Sequence, residues 1–166
     1  EGFENAGSIP SCWTQEYANG STPWEMKTSG TNGHPASAHS GTYLARCRTT
    51  TVNLNHKTKF ITPVFKLTEV SNPVLKFWHT QEFWASQDHL RVYYRTSHSG
   101  NWTLLSTYTN SIAAWTEETI NLPAASSTYF IAFEATVNAG YGVCLDDISI
   151  TSGCTNPEVP VVSATI

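Results

Sequence analysis

The hydrophobic and polar positions of this chain fall into short strand-like segments separated by turn residues, and nowhere into the 3.6-residue apolar period of a helix of normal length. Leu75–Thr80 and Leu90–Thr96 are rich in aromatic and β-branched residues, as are Trp102–Thr107, Trp115–Leu122 and Tyr129–Thr136. Ser97-His98-Ser99-Gly100 and Asn138-Ala139-Gly140 supply turns between them. This spacing predicts an all-β antiparallel sandwich of two sheets with almost no helix. The small residues of Thr28–Ser40 read as a long surface loop.

Composition narrows the function. A chain of 166 residues is about one domain, long enough to bury roughly 70% of its unfolded surface without a staple. Nine basic residues against thirteen acidic ones give a net charge of −4, and no stretch is rich in Lys and Arg, which argues against nucleic-acid binding. Only 13% of residues are charged while Ser, Thr and Asn abound, as in secreted β-proteins with hydroxyl-rich strand faces. No apolar run approaches the ~20 residues of a membrane helix, so membrane insertion is not expected. Thr155–Ile166, with two prolines and then a β-like run, reads as a linker into a following module. The expected organisation is a domain over 1–154 and a linker over 155–166, excised from a larger secreted or surface protein. Asn19-Gly20-Ser21 and Asn101-Trp102-Thr103 fit the N-glycosylation pattern, which matters only in a eukaryotic source.

Chemistry concentrates in Gly140–Ile150, GYGVCLDDISI, where two adjacent acids sit inside a strand pattern. Strict alternation puts Asp146 on the side of Cys144, Ile148 and Ile150, and Asp147 with Leu145 and Ser149. A carboxylate among apolar residues requires a basic partner, a row of backbone N–H groups, or a cation. Calcium suits carboxylate and carbonyl oxygens, whereas no His and Cys cluster has zinc spacing.

The same segment resembles the closing strand of MAM domains and of their bacterial relatives, the cleaved-adhesin modules. Phe3-Glu4, Cys12-Trp13-Thr14-Gln15, Trp24, His39-Ser40-Gly41-Thr42-Tyr43, Thr62-Pro63, Phe77-Trp78-His79 and Phe133-Glu134-Ala135 follow in the family's order. The resemblance implies a jelly-roll sandwich and a noncatalytic extracellular role in adhesion or recognition. It also implies a structural calcium site between an acid of the first strand and one of the last, here Glu4 and Asp146. Asp147 replaces Asp146 if a bulge shifts the parity, and Asn5, His39 and Ser40 are further oxygen donors. The alternative is that Asp146 is held by backbone N–H groups or by Arg46, Arg48 or Arg91. Many relatives are acidic before the Trp24 position, where this chain has Asn19-Gly20-Ser21-Thr22-Pro23.

Cys12, Cys47, Cys144 and Cys154 allow three full pairings. Cys144 and Cys154 are too far apart along one straight strand to bridge. By resemblance, Cys12 and Cys154 match family cysteines whose partners are absent here. Cys12 with Cys47 or Cys144, or buried free thiols, both stand open.

Six Trp and seven Tyr are many for this length, and exposed rings stack on pyranose faces. Gln81–His89 is the candidate loop: Phe83 and Trp84 lie beside Glu82, Gln87 and Asp88, joining stacking to hydrogen-bonding groups. Trp115 is a second candidate ring or an edge seal. Trp13, Trp24, Trp78 and Trp102 are expected inside the sandwich. No nucleophile elbow, His-Glu-x-x-His pair or phosphate loop occurs, which leaves Glu82, Asp88 and His89 as the one place for a glycosidase acid pair. The expected activity is therefore recognition, not catalysis. Its partner would be a protein or glycan on a host, matrix or cell surface, with a carbohydrate-binding module and a ligand-free structural spacer as alternatives.

Overall fold

The computed structural model describes residues 1–52 and 54–153. Its strands are β1 (Thr14–Asn19), β2 (Trp24–Lys27), β3 (Leu44–Cys47), β4 (His56–Ile61), β5 (Pro73–Gln81), β6 (His89–Arg95), β7 (Thr103–Tyr108), β8 (Ile112–Asn121), β9 (Phe130–Val137) and β10 (Val143–Ser152). They form two antiparallel five-stranded sheets, ordered β1-β4-β9-β6-β7 and β2-β3-β10-β5-β8. No helix occurs among the described residues, and the fold is the expected jelly-roll sandwich. Cys154 and the proposed linker 155–166 lie outside the described residues.

The core follows from the inward parity of both sheets. Phe60 is fully buried against Trp13, Trp24 and Phe3 at ring separations of 4.5, 5.7 and 6.0 Å. Trp24 also satisfies its indole, whose Nε1–H donates to the Thr58 carbonyl at 2.9 Å. Trp78 and Trp102 depart from expectation. Each lies on the outer face of its sheet, half-buried, because the strand residues beside them, Phe77 and Thr103, take the opposite parity.

Strict alternation also fails in β10. Asp147 has φ of 46°, and the pairing with β5 shifts between Asp146 and Ser149, which is a bulge. Leu145 and Ile148 consequently both enter the main core, while Cys144 and Asp146 face outward. Outward here does not mean wet. The segment 28–43, of which Thr28–Ser40 is the expected surface loop, folds over this face and packs Ala38 on Leu44, Cys144 and Trp115.

Cys12 is exposed, Cys47 and Cys144 are buried, and these three form no disulfide with one another. Cys47 belongs to the main core and Cys144 to the cluster on the opposite face, so adjacent strands hold their thiols apart. Burial pushes both thiols up, Cys144 to about 12.

His79 is a core group that makes stability depend on pH. It is fully buried with neither ring nitrogen hydrogen-bonded, and Glu118 Oε1 stands 3.6 Å from Nε2. Desolvation outweighs that carboxylate and lowers the imidazole pKa from 6.5 to about 4. The unfolded chain therefore takes up a proton below pH 6.5 that the folded chain refuses until about pH 4, and stability falls across that interval. The His79 share of that loss approaches about 3 kcal/mol at pH 4, opposed by any other group that titrates there. H79F should therefore gain stability relative to the parent as pH falls, in urea unfolding compared at pH 7, 5.5 and 4.

Candidate functional site

The covering segment is fastened by the two acids of β10. Asp146 is fully buried, and its Oδ2 accepts the backbone N–H of His39 at 2.9 Å and of Ser40 at 3.3 Å, while Oδ1 accepts that of Asp147 at 2.8 Å. Asp147, re-aimed by the bulge, receives the Ser40 hydroxyl on Oδ1 at 2.7 Å and pairs through Oδ2 with His39 Nδ1 at 2.6 Å. Burial lifts Asp146 to about 6, against the pull of its N–H donors. Asp147 feels burial too, but its bonds to His39 and Ser40 hold it below the usual carboxylate range.

Glu4 serves a neighbouring turn. Its Oε1 accepts the N–H groups of Thr42 at 2.8 Å and Tyr43 at 2.9 Å, just before β3. Asn5 is exposed, with its backbone N–H turned to the Phe3 carbonyl. Gly2 closes the acid cluster: a Cβ there would lie 3.3 Å from Asp147 Oδ1 and 3.9 Å from both Asp146 Oδ1 and Ser40 Oγ.

From this anchor the segment builds one wall of an open groove of about 360 Å³, lined by Gly33–Ser37, Glu82, Ala113, Ala114 and Trp115. Trp115 donates its indole N–H to the Ser37 carbonyl at 3.2 Å and sets its ring edge-on to His39, 5.9 Å away. His39 in turn stacks on Trp78 at 3.8 Å. In the same segment, His34 stacks on Tyr141 at 3.9 Å, and its Nδ1 pairs with Glu82 Oε2 at 2.7 Å. Trp84, 47% exposed, stands outside the groove lining, 6.2 Å from Tyr141. One carboxylate, Glu82, thus lines the groove together with the rings of His34 and Trp115, an arrangement that stacks on apolar ring faces and accepts hydrogen bonds from hydroxyls.

A sequence profile of the MAM domain (meprin/A5/mu) matches residues 2–155. The chain belongs to the MAM family. This MAM domain is also similar in structure to the K1 cleaved adhesin domain of Lys-gingipain from Porphyromonas gingivalis W83, with a TM-score of 0.71 and 24% identity over 93% of this chain and 97% of that one. TmCBM61, solved with β-1,4-galactotriose, aligns at a TM-score of 0.64 and 16% identity over 92% and 94% of the two chains. The tandem CBM22-1–CBM22-2 domain of Paenibacillus barcinonensis Xyn10C gives 0.56 and 14% over 96% of this chain and 46% of that one. No curated protein sequence matches.

The predicted ligand set divides within the MAM domain. Glu82 and Trp115 line the groove together; Trp84 flanks it, and Phe83, 54% exposed, projects beside it with its N–H bound to Ser111 Oγ at 3.0 Å. Gln87 turns back instead, donating to the carbonyls of Gln81 and Asp88. Asp88 is not open to a surface ligand. It is fully buried, and its carboxylate gathers the N–H groups of Asn138, Gly140 and Gly142 at 2.6, 3.1 and 2.9 Å. Only a glycine passes at 140, since any Cβ would collide with that carboxylate. Burial raises the Asp88 pKa even so. This acid shapes the groove indirectly, because the turn it clamps carries Tyr141. His34 and Tyr141 gave no signal in the sequence beyond their place in loops.

D88A would leave three backbone N–H groups without an acceptor. The domain should lose roughly 3 kcal/mol or more in equilibrium urea unfolding, and a loss below about 1 kcal/mol would show that the turn does not need the clamp.

Proposed function

We propose that this MAM domain is a noncatalytic recognition module of a larger secreted or surface protein, and that its groove takes a glycan on a host, matrix or cell surface. The observation that carries this reading is that Glu82, His34 and Trp115 line one open groove, with Tyr141 stacked on His34 and Trp84 exposed beside it. The carbohydrate complex reported for the similar TmCBM61 supports a glycan, and the likeness to a cleaved adhesin domain supports attachment as its purpose. An extracellular setting fits a family of surface modules and a chain in which no helix among the described residues is long and apolar enough to cross a membrane. Hydrolysis finds no support: the second acid of the candidate pair, Asp88, is sealed inside.

A glycan array of the folded domain tests this reading. W115A and E82Q should each weaken binding to any hit by about tenfold, in line with ~1.4 kcal/mol for a lost stacking face or charged acceptor, while the melting temperature stays within a few degrees. A blank array from folded protein would turn the groove over to a protein partner.

We further propose that calcium resides at the acid cluster as a structural ion. The donors are of the right kind, for Asp146, Asp147 and Ser40 present hard oxygens converging on Gly2. They are few, since no group of three or more His, Cys, Asp or Glu side chains meets with metal-binding geometry among the described residues. Backbone carbonyls and water would have to complete the shell, with Glu4, Asn5 and His39 holding the surrounding turns. The ion would neutralise the buried charge of Asp146 and stiffen the groove wall.

Without calcium, the Asp146 contribution is fully present below the unfolded carboxyl pKa of 3.8 and is lost as pH rises through about 6. Calcium should therefore stabilise increasingly from pH 4 to 7, by ~1.4 kcal/mol at ten times its dissociation constant. D146N should abolish the increment, and a calorimetric melt with no calcium dependence at pH 7 would overturn the proposal.

A further inference from the structure

The outward face of the first sheet concentrates charge that the groove does not use. Four of the nine Lys and Arg residues lie there on β4 and β6: Lys57, Lys59, Arg91 and Arg95, alternating with the inward Thr58, Phe60, Leu90 and Val92. Two acids, Glu16 on β1 and Glu134 on β9, share the face. It therefore carries two surplus positive charges, while the remaining five cations stand against eleven acids.

Register turns part of this charge into a ladder. Glu16, Lys59, Glu134 and Arg91 pair in one row across four strands. Lys59 Nζ bridges Glu16 Oε1 at 3.2 Å and Glu134 Oε2 at 3.0 Å, so it uses up both acids. Arg91 is left with a 3.7 Å approach to Glu134, and Lys57 and Arg95 have no salt bridge among the described residues. The cations left without a close acid are thus Lys57, Arg91 and Arg95.

Beside the ladder the face turns aromatic. Tyr93 and Trp102 are half-buried over Ile61, Ala132 and Phe130. The Arg95 guanidinium lies 4.3 Å from the Trp102 ring and 5.2 Å from that of Phe130. An open groove of about 330 Å³ starts at this arginine and runs past His98, Phe130 and Ile61 toward Thr14.

We infer that this face is a second binding site, separate from the groove of Trp115, and that it takes an acidic glycan. Arg95 and Arg91 would hold carboxylate or sulfate groups, and half-exposed aromatic rings would stack on the sugar faces between them. An acidic peptide would satisfy the cations but has no pyranose face to offer the rings, which is why the polysaccharide is favoured.

Isothermal titration at low salt with heparin, polygalacturonate, neutral β-1,4-galactan and polyglutamate tests this. The domain should bind heparin, polygalacturonate or both, with affinity falling as salt is raised, and heparin alone or polygalacturonate alone would identify sulfate or carboxylate as the recognised group. R91Q/R95Q should weaken that binding by at least about fivefold, the sum of two surface pairs. K57Q, at a half-buried position near the start of β4, should weaken it less and serves if the double variant fails to fold. W115A should keep acidic-glycan binding even where it loses neutral glycans, so the two sites fail independently. The inference is overturned if neither acidic polysaccharide binds, if polyglutamate binds as well as they do, or if the charge substitutions change nothing.

Discussion

Taking a carboxylate out of water is unfavourable by several kcal/mol unless donors replace the solvent, and at Asp146 three backbone N–H groups do so. Two of those donors belong to a segment with no strand of its own. The bond that solvates the acid is therefore the bond that holds residues 28–43 across the second sheet. The bulge at Asp147 completes the arrangement, because it aims the next carboxylate at the same two residues, His39 and Ser40. His39 carries the restraint onward by stacking on Trp78 and meeting the edge of Trp115. A chain of contacts thus runs from one buried charge to the wall of the groove.

Asp88 repeats this logic elsewhere. It too is an acid without a basic partner, solvated by main-chain N–H groups, and it too fixes a turn, the one that presents Tyr141 to His34. Both turns are held by carboxylates that gather main-chain N–H groups, Asp146 aided by Asp147 on one side and Asp88 alone on the other. The groove is consequently held by polar bonds placed outside the apolar core.

Much of the fold could be read from residue pattern. Strands β5 to β10 carry runs of aromatic and β-branched residues flanked by turns, and they appear within a few residues of where that pattern puts them. β1 to β4 escape: β1 is a wet edge strand, β2 and β3 span four residues each, too short for alternation to register, and β4 is obscured by polar His56, Lys57, Thr58 and Lys59. The candidate site was visible only in part. Glu82, Trp84 and Trp115 announce themselves as a carboxylate and rings at strand ends, but Asp88 looks identical in sequence and is buried, since its donors lie fifty residues away. The side taken by Asp146 could not be settled by parity, because a single residue in left-handed conformation resets it. Trp78 and Trp102 show the same limit: ring size says that a residue must be covered, not which face of the sheet will cover it.

The covering segment has a different kind of consequence. Between the turn at Gly30–His34 and the hooks at His39 and Ser40 it contributes no rung to either sheet. Insertions, deletions or substitutions at residues 33–37 would leave every strand pairing in place while remodelling the floor and lip of the groove. A scaffold of this kind can exchange what it recognises without relearning how to fold, so within one architecture the ligand is free to diverge faster than the sandwich that displays it.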